Sequence, residues 1–151
     1  MLALLPEGGV CAEIGTWRGD NAARILSSRR PRQLYLVDPW EYRTEDKYEQ
    51  AWFGRRARSG QQDMDAIYES VVDRFRSDID NGQVVVKRQR SIDAAASFAD
   101  DALDWVYIDG DHSYEGVKGD LEAYYRTVKS GGFLAGDDYE NAGWWGDADK
   151  R

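Results

Sequence analysis

The chain has 151 residues, 42% of them hydrophobic and 32% charged, with a formal net charge of −8 and a pI near 4.7. That length suits one domain with a real core, and the acidic balance argues against nucleic-acid binding by phosphate neutralisation across a broad face. One cysteine, Cys11, excludes an intrachain disulfide and fits a reducing compartment. No apolar run approaches the roughly 20 residues of a membrane span. The opening Met1 to Pro6 lacks the basic and apolar regions of a signal peptide. The expectation is a cytoplasmic protein with no nucleic-acid or membrane partner. Three basic clusters, around Arg29, Arg55 and Lys87, read as solvated helix ends and loops.

Strand-like and helix-like segments alternate along the chain. Val10 to Ile14 is a short apolar run ending at Gly15, a first strand, and Asp20 or Asn21 can cap a helix through about Arg30. Leu34 to Val37 is a second strand, closed by Asp38 and Pro39; residues 40 to 60 are irregular, aromatic and charged. Met64, Ile67, Tyr68, Val71, Val72 and Phe75 follow helical spacing, and Asn81-Gly82 turns into Val84 to Val86, a third strand. Ser91 begins an alanine-rich helix to about Phe98, and Trp105 to Ile108 is the fourth strand. Ser113 caps a helix with Val117, Leu121, Tyr124, Tyr125 and Val128 on its inner face. Gly131 and Gly132 stop that helix, and Phe133 to Ala135 form the fifth strand.

Alternating β and α with apolar strands predicts an α/β fold, a parallel sheet covered by helices on both faces. In such sheets the ligand sits outside the carboxyl ends of the strands. The unusual residues fall there: Glu13 and Gly15 after strand one, Asp38 after two, Ser91 soon after three, Asp109 and Asp111 after four, Asp137 and Asp138 after five. Carboxylates on strands about 5 Å apart repel one another, and a hard divalent cation is the simplest compensation.

The turn Glu13-Ile14-Gly15-Thr16-Trp17-Arg18-Gly19 allows close backbone approach to a ligand, although its spacing is not that of dinucleotide binders. Taken singly, each feature has a bland alternative. The turn can be a plain strand-to-helix connection, Asp38 a turn former before Pro39, and the aspartate pairs turn and helix-start residues. Trp40, Tyr42, Tyr48, Trp52 and Phe53, with Trp144 and Trp145, either pack loops on the core or wall an adenine or acceptor ring.

Together, Glu13-x-Gly15-x-x-x-Gly19, Asp38, Ser91, Tyr107-Ile108-Asp109-Gly110-Asp111-His112, Gly131-Gly132-Phe133 and Asp137-Asp138 resemble a class I S-adenosylmethionine-dependent methyltransferase. Within that superfamily the chain is most similar to metal-dependent small-molecule O-methyltransferases of the macrolide- and aminocoumarin-sugar type, with the catechol enzymes more distant. The resemblance covers about residues 8 to 140. It implies a Rossmann-like sheet of order 3-2-1-4-5 in a single domain, 1–151, truncated before the family's antiparallel hairpin. It also implies that Gly15 and Gly19 lie against the methionine moiety, Asn21 holds its carboxylate and Glu13 orients the loop. Asp38 would bind the ribose, Arg90 and Ser91 flank the adenine, and Asp109 stand beside the cofactor.

By the same resemblance Asp109, Asp137 and Asp138 hold Mg²⁺. A Mg²⁺-bound hydroxyl favours its alkoxide at neutral pH. Asp111 is then the first candidate for general base and His112, the only histidine, the second. The expected partner is a hydroxylated small molecule, a sugar or polyphenol, with homo-oligomerisation left open. Two alternatives stand beside this reading: a metal-independent methyltransferase, and a non-catalytic nucleoside-binding or assembly module.

Overall fold

The structure, a computed structural model, describes residues 2–137 apart from positions 50, 52 and 55. The five strands are β1 (Val10–Ile14), β2 (Gln33–Val37), β3 (Val84–Lys87), β4 (Leu103–Ile108) and β5 (Val128–Gly136). They form one sheet of order β3-β2-β1-β4-β5 with every pairing parallel. The helices between them are α1 (Asp20–Arg29), α2 (Gln61–Arg74), α3 (Arg76–Asp80), α4 (Ser91–Ala96) and α5 (Tyr114–Tyr125). This is the doubly wound, Rossmann-like sheet expected from the alternation. None of the described helices is long and apolar enough to cross a membrane.

Strand alternation sorts the core into two layers. Cys11, Leu34, Leu36 and Trp105 point to the face packed with Ile25 of α1 and Met64, Val71 and Phe75 around α2. Ala12, Ile14, Val37, Val106 and Ile108 point to the opposite face, against Ala94 and Ala95 of α4 and Tyr124 of α5. The central strand β1 is therefore covered on both sides, which is why its sequence is an apolar run and not a polar–apolar alternation.

Tertiary structure changes several local expectations. Helix α1 is capped at Gly19, with Asp20 already inside its first turn and no side-chain cap. A short α3 follows α2 directly, in a stretch with no apolar stripe of its own to announce it. Ser113 does cap α5, its Oγ accepting from the Gly116 amide at 3.2 Å. The inner face of α5 is otherwise: Asp120 and Tyr124 are buried, whereas Val117, Leu121 and Tyr125 are 37%, 44% and 76% exposed. A buried carboxyl can take an inward position when a neighbour hydrogen-bonds it, and Ser91 of α4 does so here.

The glycine pair does not end α5. The helix stops at Tyr125, and Gly131 and Gly132 lie inside β5. There the register jumps from Leu103↔Val128 to Trp105↔Phe133, so Lys129 to Gly132 bulge out of the ladder. Gly131 takes φ 81, and a Cβ on Gly132 would stand 2.5 Å from the Asp104 carbonyl oxygen.

Candidate active site

The ladder hydrogen bonds run on past the strand ends and draw the connecting loops into one rim. The Gly15 amide donates to Val37 O, Asp38 N–H to Lys87 O, Asp109 N–H to Ile14 O and Asp137 N–H to Ile108 O, at 2.8, 3.2, 2.7 and 3.1 Å. Gly15 has φ +88, and a Cβ there would lie 1.9 Å from the Asp109 carbonyl oxygen. Only glycine lets the turn after β1 touch the turn after β4. Gly19, at φ +76, has a second constraint: its Cβ would meet the Phe75 ring at 2.5 Å, so its small size also serves helix packing.

Glu13 is 1% exposed. Its Oε1 accepts from Asn21 Nδ2 at 2.9 Å, whereas its Oε2 and the neighbouring Thr16 Oγ1 are buried without a hydrogen-bond partner. Burial pushes the Glu13 carboxyl up to about 8, an effect only partly offset by the Asn21 and Thr16 side chains. Asn21 thus spends its amide on Glu13. A buried carboxylate with one unanswered oxygen is a place where a cationic group is favourable.

Asp38 binds backbone on both oxygens, Oδ2 accepting from Trp17 N–H at 2.9 Å and Oδ1 from Trp40 N–H at 2.7 Å. Trp40 Nε1 closes the circuit by donating to Trp17 O at 2.8 Å. Both tryptophans adopt left-handed backbone, φ 51 and 42, uncommon for bulky residues and concentrated at ligand sites. Burial holds the Asp38 carboxyl above its usual range despite the two amides. Each carboxylate oxygen retains a second acceptor direction, so the clasp leaves Asp38 able to take a ribose hydroxyl.

Arg90 and Ser91 follow β3. The Arg90 fork is engaged by Glu41, Nε to Oε2 at 3.0 Å and a terminal nitrogen to Oε1 at 2.8 Å. The Ser91 hydroxyl turns inward to Asp120 Oδ1, and Tyr124 OH donates to the Ser91 carbonyl at 3.1 Å. Burial raises the Asp120 carboxyl above its usual range, against the Ser91 hydrogen bond and with a further push from Asp111.

At the β4 end, His112 Nε2 lies 3.4 Å from Asp109 Oδ1. Asp111 Oδ1 accepts from the Ser113 amide at 3.0 Å, and its Oδ2 accepts from Tyr48 OH at 2.6 Å. Ile108 and Gly136 are register partners, so the next residues, Asp109 and Asp137, stand opposite each other at adjoining strand ends. Asp138, Trp52, Trp144 and Trp145 lie outside the described residues. No group of three or more His, Cys, Asp or Glu spaced to hold a metal occurs among the described residues.

The structure adds residues that the sequence reading did not place at the site: Thr16, Glu41 and Asp120; it also brings Tyr48, read only as part of an aromatic segment, onto Asp111. Asp120 carried a signal, being an acid at i+3 from Val117 and four before Tyr124. Tyr48 carried none, because its partner is 63 residues away.

A family model described as a methyltransferase domain matches residues 12–139. An uncharacterized protein of Acanthamoeba polyphaga mimivirus is 24% identical over 135 residues, covering 87% of this chain and 52% of that protein. Among solved structures, geranyl diphosphate C-methyltransferase from Streptomyces coelicolor A3(2), in complex with Mg²⁺, geranyl diphosphate and S-adenosyl-L-homocysteine, superposes with TM-score 0.60 at 13% identity. That superposition covers 89% of this chain and 40% of that one. An rRNA methylase from Streptococcus thermophilus superposes with TM-score 0.56 at 10% identity, covering 89% and 64%. The chain spans about half the length of the mimivirus protein it matches. With the family match spanning most of its length and the sheet in the order 3-2-1-4-5, the chain belongs to the methyltransferase-domain family, with the class I S-adenosylmethionine-dependent methyltransferase fold.

Proposed function

We propose that this chain binds S-adenosylmethionine at the rim formed by the β1, β2 and β4 ends and directs methyl transfer to a hydroxyl of a small molecule. The observation that carries the reading is the Glu13 carboxylate. It is buried beside the Gly15–Gly19 turn with one oxygen unanswered, and the bound donor would bring an amino group and a sulfonium to that neighbourhood. Asp38 would take the ribose hydroxyls, as acids at the second strand end of such sheets do. The bound donor would supply an electrophilic methyl carbon, open to in-line attack by an oxygen nucleophile, with the C–O bond forming as the C–S bond breaks and S-adenosylhomocysteine leaving as a neutral thioether.

For the acceptor, the chain offers Asp109 and Asp137 at facing strand ends. Two carboxylates are a usual protein complement for Mg²⁺, which fills its remaining positions with water and substrate oxygens. Bound there, the ion would lower the pKa of an acceptor hydroxyl. Asp111, engaged on both oxygens by Tyr48 and the Ser113 amide, serves to anchor the loop. We assign proton removal to His112. A second, metal-free reading has its own support: the His112–Asp109 pair at 3.4 Å orients the imidazole without any ion.

Calorimetric titration of S-adenosylhomocysteine, with Mg²⁺ or with chelator, on wild type and Asp137→Ala separates these readings. Nucleoside binding is expected in all samples, and Mg²⁺ binding only with Asp137 intact. Failure of wild type to bind the nucleoside would sink the methyltransferase proposal. Equal Mg²⁺ affinity in both proteins would remove Asp137 as a ligand and favour the metal-free form. Tight nucleoside binding without turnover on a panel of sugars and polyphenols would point to a binding module.

A further inference from the structure

Helix α5 turns an apolar stripe outward. Tyr114, Val117, Leu121 and Tyr125 recur every three or four residues and are all exposed, whereas Asp120 and Tyr124 hold the helix to the core. A helix covering a sheet ordinarily keeps polar residues on its solvent side, and a contiguous apolar patch there marks a binding face. From Tyr114 to Tyr125 the stripe is about 16 Å long, at 1.5 Å per residue. Four charged residues flank it in the order Glu115, Lys118, Glu122, Arg126. The chain carries a net −8, yet these four cancel, so two copies repel one another least at this face.

Both patterns complement themselves when read backwards. An antiparallel copy sets Glu115 opposite Arg126 and Lys118 opposite Glu122, each twice, whereas a parallel copy would set every charge against its like. The apolar residues obey the same reversal, Tyr114 meeting Tyr125 and Val117 meeting Leu121. Lys118 lies 3.9 Å from Glu122 on its own helix, in the order that stabilises an isolated helix least, so the pair can join its symmetry mate at little cost. Arg126 also holds Asp100, and its side chain stays partly exposed. We propose that α5 is the interface of a symmetric homodimer, a second copy's α5 lying antiparallel across it about a two-fold axis level with Asp120. The stripe exposes on the order of 500 Å² per copy, so the pair covers about 1,000 Å², the lower bound of a specific interface. Such a dimer is reversible, with a dissociation constant in the micromolar range.

The test is sedimentation equilibrium of the full chain across the micromolar range. Wild type is expected to move from 17.2 kDa towards twice that mass as concentration rises. Leu121→Lys, which sets a cation against Lys118 of the second copy, should leave only monomer. Lys118→Glu meets Glu122 across the axis and should weaken association by roughly tenfold, because one substitution is felt at two symmetric contacts. Adding Glu122→Lys regenerates the pair with its signs exchanged and should restore the wild-type constant. Thermal unfolding of the variants in dilute solution should match wild type closely, since all these positions are exposed. Wild type that stays monomeric at every concentration overturns the proposal, and so does a dimer that survives Leu121→Lys. A double variant as weak as Lys118→Glu overturns it too, because the antiparallel pairing requires rescue. A monomeric wild type that Leu121→Lys destabilises would show the face to be covered within one chain, which equally overturns it. None of these outcomes bears on the donor site.

Discussion

Replacing Glu13 with glutamine should make the protein more stable at pH 8 and flatten its response to pH. Glu13 is 1% exposed, and its carboxyl is pushed up to about 8 from an unfolded value of 4.5. Between those two values the unfolded chain has lost the proton and the folded chain keeps it. The folded state therefore binds more protons, and stability falls as pH rises through the window. Three and a half pH units, at about 1.4 kcal/mol each, cap the loss near 5 kcal/mol, of which structural relaxation leaves roughly half. Glutamine is neutral throughout. Its carbonyl can still accept from Asn21, and its amide nitrogen, taking the place of Oε2, can donate to the unpartnered Thr16 hydroxyl. Urea melts of wild type and Glu13→Gln at pH 5, 6, 7 and 8 measure this directly. The wild-type curve should descend by about 2 kcal/mol or more relative to the mutant. Parallel curves would refute the assignment of a buried, proton-holding Glu13. The same substitution should weaken S-adenosylhomocysteine binding, because glutamine cannot give up a proton to meet the donor's amine as an anion.

Two further substitutions and one reagent test the packing around the rim. Gly15→Ala combines φ +88 with a Cβ 1.9 Å from a backbone oxygen, whereas Gly8→Ala has φ +78 and nothing within 4 Å. The second should cost only the left-handed strain, about 1–2 kcal/mol, and the first well above 3 kcal/mol; similar midpoints in urea would show that the β1 and β4 turns do not touch. Cys11 is 0% exposed, and burial, aided by Asp104, pushes its thiol well above the usual range. It should react with an aromatic disulfide reagent no faster than the chain unfolds, and rapid labelling of native protein would contradict that.

The architecture was legible because it rests on short-range patterns. The apolar runs of β1, β2 and β4 and the Met64–Phe75 stripe are each contained within a dozen residues, and alternation of the two element types constrains the crossover topology. The acids at the strand ends were legible for the same reason: Asp38, Asp109 and Asp137 each sit one residue beyond a strand whose direction is set by the fold, and Glu13 is the penultimate residue of its own. Sequence by itself therefore determined the parallel sheet, the glycine turn after β1 and the rim where Glu13, Asp38, Asp109 and Asp137 gather.

Tertiary structure alone decided how those groups are partnered. The face of α5 that the sequence marks as inward through Val117, Leu121 and Tyr125 is exposed, and contact with Ser91 sets Asp120 inside instead. The glycine pair, which the sequence presents as a helix stop, becomes a strand bulge once β4 sets the register. Tyr48 reaches Asp111 and the Trp17 amide reaches Asp38 only because the chain folds back across the sheet end. A hydrogen bond is a local event in space between residues that are remote along the chain. The pattern of a segment can thus announce that an acid stands at the rim, while the donors that orient it come from elements whose placement only the packed core determines.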